Sequence, residues 1–238
     1  MSGVAPNIAE ARPGMWPMYR AMVGVGLVCG LLIVTVFQTT LPIIERNQAE
    51  ALQKAVFQVL PDARSSRTFV RTGEDTFVPL EGKGKGAELV YGGFDEAGAL
   101  VGVAIEAGGM GYADVIHVLY GYSFDQEAIV GIRVLGSKET PGLGDKIETD
   151  EAFQQNFVRL DASLDPATGA AAHGIVAVKS GTKQNPWEID GITGATISSK
   201  AMADLLRKSI GSRIPLLRDR EIDFHDREND LREGEATP

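Results

Sequence analysis

Apolar and polar positions follow three different patterns along this chain. From Ala21 to Ile44, 24 residues pass without an Asp, Glu, Lys or Arg. As a helix this run rises about 36 Å, enough to cross a hydrocarbon core of about 30 Å once. Trp16 and Tyr19 precede it, where amphipathic rings suit the membrane interface, and Pro42 lies near its far end, where a missing amide donor costs little. A cleaved signal peptide would carry a shorter apolar core of about 7–15 residues and then a small-residue cleavage site. Here Ala51, Leu52, Ala55, Val56 and Val59 instead continue at helical spacing until Pro61-Asp62, so the run reads as an uncleaved anchor followed by a helix over 45–60.

The period then shortens. The stretches 88–91, 100–105, 115–122, 129–135 and 174–178 are β-branched or alternating, the pattern of strands. Asp95-Glu96-Ala97-Gly98 and Phe124-Asp125-Gln126-Glu127 have hairpin lengths, which favours antiparallel pairing over a doubly wound sheet. The Gly-rich stretch 77–86 reads as a loop, and it lacks the Lys-Ser/Thr ending and following helix of a phosphate-binding P-loop. A short helix is expected over 150–157. A better one is expected over 197–210, where Ile197, Ala201 and Leu205 align with Met202, Leu206 and Ile210. The expected class is α+β: one N-terminal transmembrane helix, then an antiparallel-sheet-rich domain with flanking helices. The expected organisation is an N-terminal segment 1–20, a span 21–44, a domain 45–212 and a charged tail 213–238. In that tail 13 of 26 residues are charged, so it reads as a solvated extension.

Charge sets the orientation and removes some partners. Arg12 and Arg20 against Glu10 leave the first 20 residues at +1, so the remainder holds about -10 of the formal -9. The positive-inside rule places the short segment in the cytoplasm and the acidic domain outside it, in the periplasm of a bacterium with an inner membrane. An acidic domain of this kind is not expected to bind nucleic acid. Gly26 and Gly30 form a GxxxG spacing, which lets helices approach closely in lipid. The single cysteine, Cys29, lies in the apolar run, and His117, His173 and His225 are scattered, so no metal ligand set is expected.

Two segments carry candidate chemistry. Asp190-Gly191-Ile192-Thr193-Gly194-Ala195-Thr196 stands directly before the helix expected over 197–210. Unpaired amides and a partial positive charge make a helix N-terminus ready for a phosphate, and the hydroxyls of Thr193, Thr196, Ser198 and Ser199 add donors. The ordinary alternative is that one of these hydroxyls caps the helix. The second segment is Glu139-Thr140-Pro141-Gly142-Leu143-Gly144. Pro-Gly suits the central positions of a type II turn over Thr140 to Leu143. That turn either simply connects elements or presents Leu143, between two residues without side chains, to a planar ligand.

Together these segments resemble the FMN-binding subunits of the Rnf and Nqr ion-translocating electron-transport complexes, and the resemblance runs to about Gly211. The Asp-Gly-x-Thr-Gly-Ala-Thr run over 190–196 matches the family's flavinylation motif without a departure. The resemblance implies that Thr196 carries FMN through a phosphoester made from FAD by an ApbE-type flavin transferase, with Thr193, Gly194 and Ala195 beside it. It further implies that Glu139, Thr140, Pro141, Gly142, Leu143 and Gly144 lie by the flavin ring, and that the partners are other membrane subunits of the complex. Lys138 before the second motif, and Ile197-Ser198-Ser199 after the first, look more like the Rnf member of the family than the Nqr member. Asp114 in Gly111-Tyr112-Ala113-Asp114 departs from relatives, which keep a small residue there.

The expected role is therefore an electron relay through covalent FMN in a bacterial inner-membrane complex. A membrane-anchored flavin sensor or adaptor, the corresponding Nqr subunit, and a structural subunit are the alternatives. No Gly-x-Gly-x-x-Gly with its acidic partner follows a strand, so nicotinamide chemistry belongs elsewhere. No nucleophile–base set is visible, and no catalytic residue is assigned.

Overall fold

The computed structural model describes residues 15–73, 75–80 and 88–224. Most of the N-terminal segment, part of the Gly-rich loop and the tail after 224 therefore lie outside the described residues. Compact units divide between Glu50 and Ala51. The first described element is helix α1, Trp16–Val59, so the expected span and the helix expected after it form one element. Its most apolar window has a mean hydropathy of 2.2 and none of it is buried. Pro42 lies within this helix rather than at its end. Just before it, Thr39 Oγ1 donates to the Thr35 carbonyl at 2.9 Å and Thr40 Oγ1 to the Val36 carbonyl at 2.8 Å.

The second unit is built on a seven-stranded antiparallel sheet in the order β2-β1-β3-β4-β5-β6-β7. The strands are β1 Ser65–Arg71, β2 Phe77–Pro79, β3 Leu89–Phe94, β4 Leu100–Met110, β5 Val115–Ser123, β6 Ala128–Gly136 and β7 Leu160–Asp161. Both expected hairpins form, β3 with β4 and β5 with β6. The 77–86 stretch departs from expectation at its start, because Phe77–Pro79 pairs with β1, a strand the sequence pattern did not reveal. Two short helices follow β6, α2 Lys146–Thr149 and α3 Glu151–Gln154, the latter running into a 3-10 turn Gln155–Phe157. A separate parallel pair, β8 Val176–Val178 and β9 Glu188–Asp190, precedes helix α4, Thr196–Asp219.

Strand period decides which element covers which face. Val103, Ile105, Val118, Tyr120 and Tyr122 point to one side and pack with Met202, Leu205, Leu206, Ile210 and Ile214 of α4. Ala104 and Leu119 point to the other side and join Ala55, Val56, Val59 and Leu60 at the end of α1. Gly121 and Gly131 make that second contact possible, because a Cβ on Gly121 would stand 2.1 Å from the Val59 carbonyl oxygen and one on Gly131 2.7 Å from it.

The boundary expected at 212/213 falls inside α4. Ile214 and Leu217 extend its buried stripe, and a 3-10 turn Glu221–Phe224 carries a buried phenylalanine beyond it. Phe224 packs edge-on to Phe69 at 4.8 Å and against Phe77 at 5.1 Å, while the Phe77 amide donates to Asp223 Oδ2 at 3.1 Å. High charge density over 213–224 concealed apolar residues at helical spacing. Those residues belong to the core.

Candidate functional site

Helix α4 begins without a side-chain cap. Ala195 occupies the N-cap position and makes no capping bond, so the ordinary account of the nearby hydroxyls is not the one adopted. The first helical bond runs from the Ser199 amide to the Ala195 carbonyl at 2.9 Å. The amides of Thr196, Ile197 and Ser198 precede it and are the donors a helix start leaves free. Ser199 Oγ accepts from the Ile192 amide at 3.1 Å and donates to the Ala195 carbonyl at 3.0 Å, and Ser198 Oγ donates to Glu139 Oε2 at 2.6 Å. Both serines thus shape the loop. Thr193 and Thr196 are exposed, and neither hydroxyl makes a hydrogen bond among the described residues.

The second segment folds as its Pro-Gly predicts. Gly142 has φ +77° and the Leu143 amide donates to the Thr140 carbonyl at 3.1 Å, which closes the turn. Leu143 is left half exposed. Glu139, only 6% exposed, ties this segment to the rest of the site. Its Oε1 accepts from the Tyr112 amide at 2.8 Å and the Ala113 amide at 3.0 Å, while its Oε2 takes the Ser198 hydroxyl. Space for that carboxylate depends on two missing side chains. A Cβ on Gly111 would stand 2.4 Å from Oε1, and one on Gly144 2.3 Å from Oε2.

Asp114 closes the same loop from outside. Its Oδ1 accepts from the Val115 amide at 2.7 Å and its Oδ2 pairs with Lys138 Nζ at 2.7 Å. The Lys138 ammonium first, and the Val115 amide second, hold its carboxyl below the usual range. This pair anchors both the 111–114 loop and the residue next to Glu139.

Thr196 stands on the ridge between two grooves. One, of about 330 Å³, is lined by Tyr112, Leu143 and Ile197 with Glu139, Thr140, Gly144, Gly194, Ala195, Thr196 and Ser198. The other, of about 390 Å³, is lined by Lys179, Ser180, Thr193, Gly194 and Lys200 among others. Each lies in the range of about 300–1,000 Å³ usual for small-ligand sites. The fold thus brings Glu139, Thr140, Leu143, Gly144, Gly194, Ala195 and Thr196 to the first groove, and Thr193, Gly194 and Thr196 to the second. Pro141 and Gly142 line neither and serve to form the turn.

Sequence reasoning assigned no site role to Tyr112, Lys179, Ile197 or Lys200. Lys200 lies four residues beyond Thr196, the spacing that puts two side chains on one helical face, so it was findable. Lys179 reaches the site only through the β8–β9 pairing, which leaves no local signature. Asn156 also escaped notice. It is buried in the turn after α3 and bonds to the backbone of Asp190.

The FMN-binding domain family matches residues 111–211. A protein of Methanosarcina acetivorans, described as the G subunit of an ion-translocating oxidoreductase complex, is 33% identical over 189 residues, covering 79% of this chain and 89% of that one. The G subunit of the Na(+)-translocating ferredoxin:NAD(+) oxidoreductase complex of Acetobacterium woodii is 33% identical over 170 residues, covering 70% and 76%. The crystal structure of Shewanella oneidensis NqrC superposes with a TM-score of 0.55 at 18% identity over 74% of this chain and 99% of that chain, a likeness of fold.

Proposed function

The chain belongs to the G-subunit family of ion-translocating oxidoreductase complexes, and from that premise we propose that its FMN is esterified to Thr196 in a domain held outside the cytoplasm. The protein is an FMN-binding, membrane-anchored electron-transport subunit of an Rnf-type complex, and its partners are the other membrane subunits. The carrying observation is the position of Thr196. Its exposed hydroxyl starts an uncapped helix, between an apolar groove and a groove bearing two lysines.

These residues fit the group. The free amides of α4 and its partial positive charge suit a phosphodiester, and Lys179 and Lys200 supply further positive charge on the same side. Tyr112, Leu143 and Ile197 offer apolar surface for a planar ring, and Glu139 keeps the loop bearing Tyr112 against the start of α4. Bound FMN supplies reversible one- and two-electron chemistry. The chain's own part is to hold it where a neighbour can exchange electrons, and to exclude water from one side of the ring.

Attachment is a phosphoryl transfer. The Thr196 hydroxyl attacks the riboflavin-side phosphorus of FAD on an ApbE-type transferase; the new O–P bond forms as the bond between the two phosphates breaks. AMP leaves with that electron pair, and the hydroxyl proton passes to a base of the transferase. No electron is lost or gained. The ester also explains retention, because a shallow site outside the cytoplasm meets no FMN pool from which to refill. The orientation rests on Arg12, Arg20 and the amino terminus on one side of the span against Glu45, Arg46, Glu50 and Lys54 on the other, which roughly cancel.

The test is co-expression with a flavin transferase and ultraviolet imaging of a denaturing gel. Wild type and Thr193→Ala give a fluorescent band, and Thr196→Ala gives none. Thr196→Ala retaining stoichiometric, tightly held FMN through membrane purification would remove the retention argument.

A further inference from the structure

The first residue of the attachment motif, Asp190, does not face either groove as a free charge. Its Oδ1 accepts from the Gly181 amide at 2.8 Å and the Thr182 amide at 3.3 Å, and its Oδ2 accepts from Gly181 at 3.0 Å. The turn it holds, 179–182, is closed by the Thr182 amide and hydroxyl, which donate to the Lys179 carbonyl at 3.0 and 2.6 Å. That turn carries Lys179 and Ser180 into the groove beside Thr196. Asp190's own backbone is held from the other side. Asn156, 5% exposed, accepts from the Asp190 amide at 2.9 Å and donates to the Asp190 carbonyl at 3.2 Å, and donates also to the Phe153 carbonyl at 3.0 Å. The next residue, Gly191, then donates to the Val178 carbonyl at 3.0 Å. Asn156 thereby acts on Asp190 as a neighbouring strand would, and fixes where the loop to Thr196 departs.

We infer that Asp190 and Asn156 are positioning residues for flavin attachment: Asn156 fixes the origin of the 191–196 loop, and Asp190 fixes the Lys179–Thr182 wall against it. This inference rests on attachment at Thr196. It assigns the acidic start of the motif to internal bonding rather than to recognition by the flavin transferase, and it adds a residue 34 positions upstream to the machinery.

The two roles separate by conservative substitution. In Asp190→Asn the remaining carbonyl oxygen still accepts from Gly181 and Thr182, and what is lost is the charge and the second, longer contact to Gly181; in Asp190→Ala both acceptors are gone. With the full-length chain, purified transferase and FAD, the transfer rate is read by intact mass. Asp190→Ala and Asn156→Asp slow it by roughly 10²-fold, the scale of a misplaced reacting group, and Asp190→Asn stays close to wild type. Asp190→Asn falling as far as Asp190→Ala would overturn the inference in favour of recognition of charge. So would a normal rate in Asp190→Ala or Asn156→Asp. Hydrogen exchange in the Thr196→Ala background gives a readout without flavin. There the Gly181 amide is protected, Asp190→Ala exposes it and Asp190→Asn does not, while the Thr182 amide keeps its bond to the Lys179 carbonyl; unchanged protection of Gly181 in Asp190→Ala counts against the idea. Should Asp190→Ala fail to fold, Asp190→Asn against Asn156→Asp carries the same comparison. A wild-type chain that accepts no flavin refutes the attachment site itself, while the exchange result still decides the positioning.

Discussion

Replacing Glu139 with alanine removes one carboxylate and leaves three donors without their acceptor: the Tyr112 and Ala113 amides and the Ser198 hydroxyl. An unpaired buried donor costs about 1–3 kcal/mol. The low end applies here, because Tyr112 is 66% exposed and water can enter beside it. One kcal/mol for each donor gives a loss of about 3 kcal/mol, or roughly 6–12 °C in Tm for a domain of this size. Glu139→Gln keeps one carbonyl oxygen for the two amides, and its amide group can donate to the Ser198 oxygen, so its loss stays under about 1 kcal/mol. Thermal unfolding of the full chain in detergent, followed by near-ultraviolet circular dichroism, measures both. Equal destabilisation by Gln and Ala, or an alanine loss below about 1 kcal/mol, would refute the claim that these three bonds tie the two motifs together.

Three further outcomes follow from named contacts. Gly121→Ala drives a Cβ into the Val59 carbonyl oxygen, so it costs about 2–3 kcal/mol and raises hydrogen exchange over 51–60 more than elsewhere. Gly142→Ala forces a side chain to φ +77° and costs about 1–2 kcal/mol without altering the sheet, as denaturant melts and far-ultraviolet circular dichroism show. Lys138 holds the Asp114 carboxyl below its ordinary value, so the contribution of that pair is present above the unfolded aspartate value and is lost as pH falls through the lowered one. Tm against pH should therefore separate wild type from Asp114→Asn near neutrality, by the small amount an exposed pair allows, and the two curves should converge in acid.

Periodicity made the membrane span, both hairpins and the start of α4 legible, since each is a local pattern that the core enforces. β1, β9 and the extension of α4 were not legible, for three separate reasons. Ser65–Arg71 is mixed in polarity because only Phe69 turns fully inward, among half-buried and exposed residues. Glu188–Asp190 is a strand only by virtue of its parallel partner. In 213–224, Ile214, Leu217 and Phe224 are buried among charges, so composition outweighed spacing. At the site, both motifs could be read from their glycines, threonines and Pro-Gly turn. The joint between them could not, because the Glu139–Ser198 bond spans 59 residues and depends on room left at Gly111 and Gly144.

The central claim concerns one hydroxyl, and peptide mass spectrometry of protein taken from native membranes tests it most directly. The peptide containing Thr196 should be heavier by FMN less one water, with fragment ions placing the addition on that residue and leaving Thr193 unmodified. An unmodified Thr196 peptide in every preparation, with flavin recovered only by unfolding the chain, would contradict it.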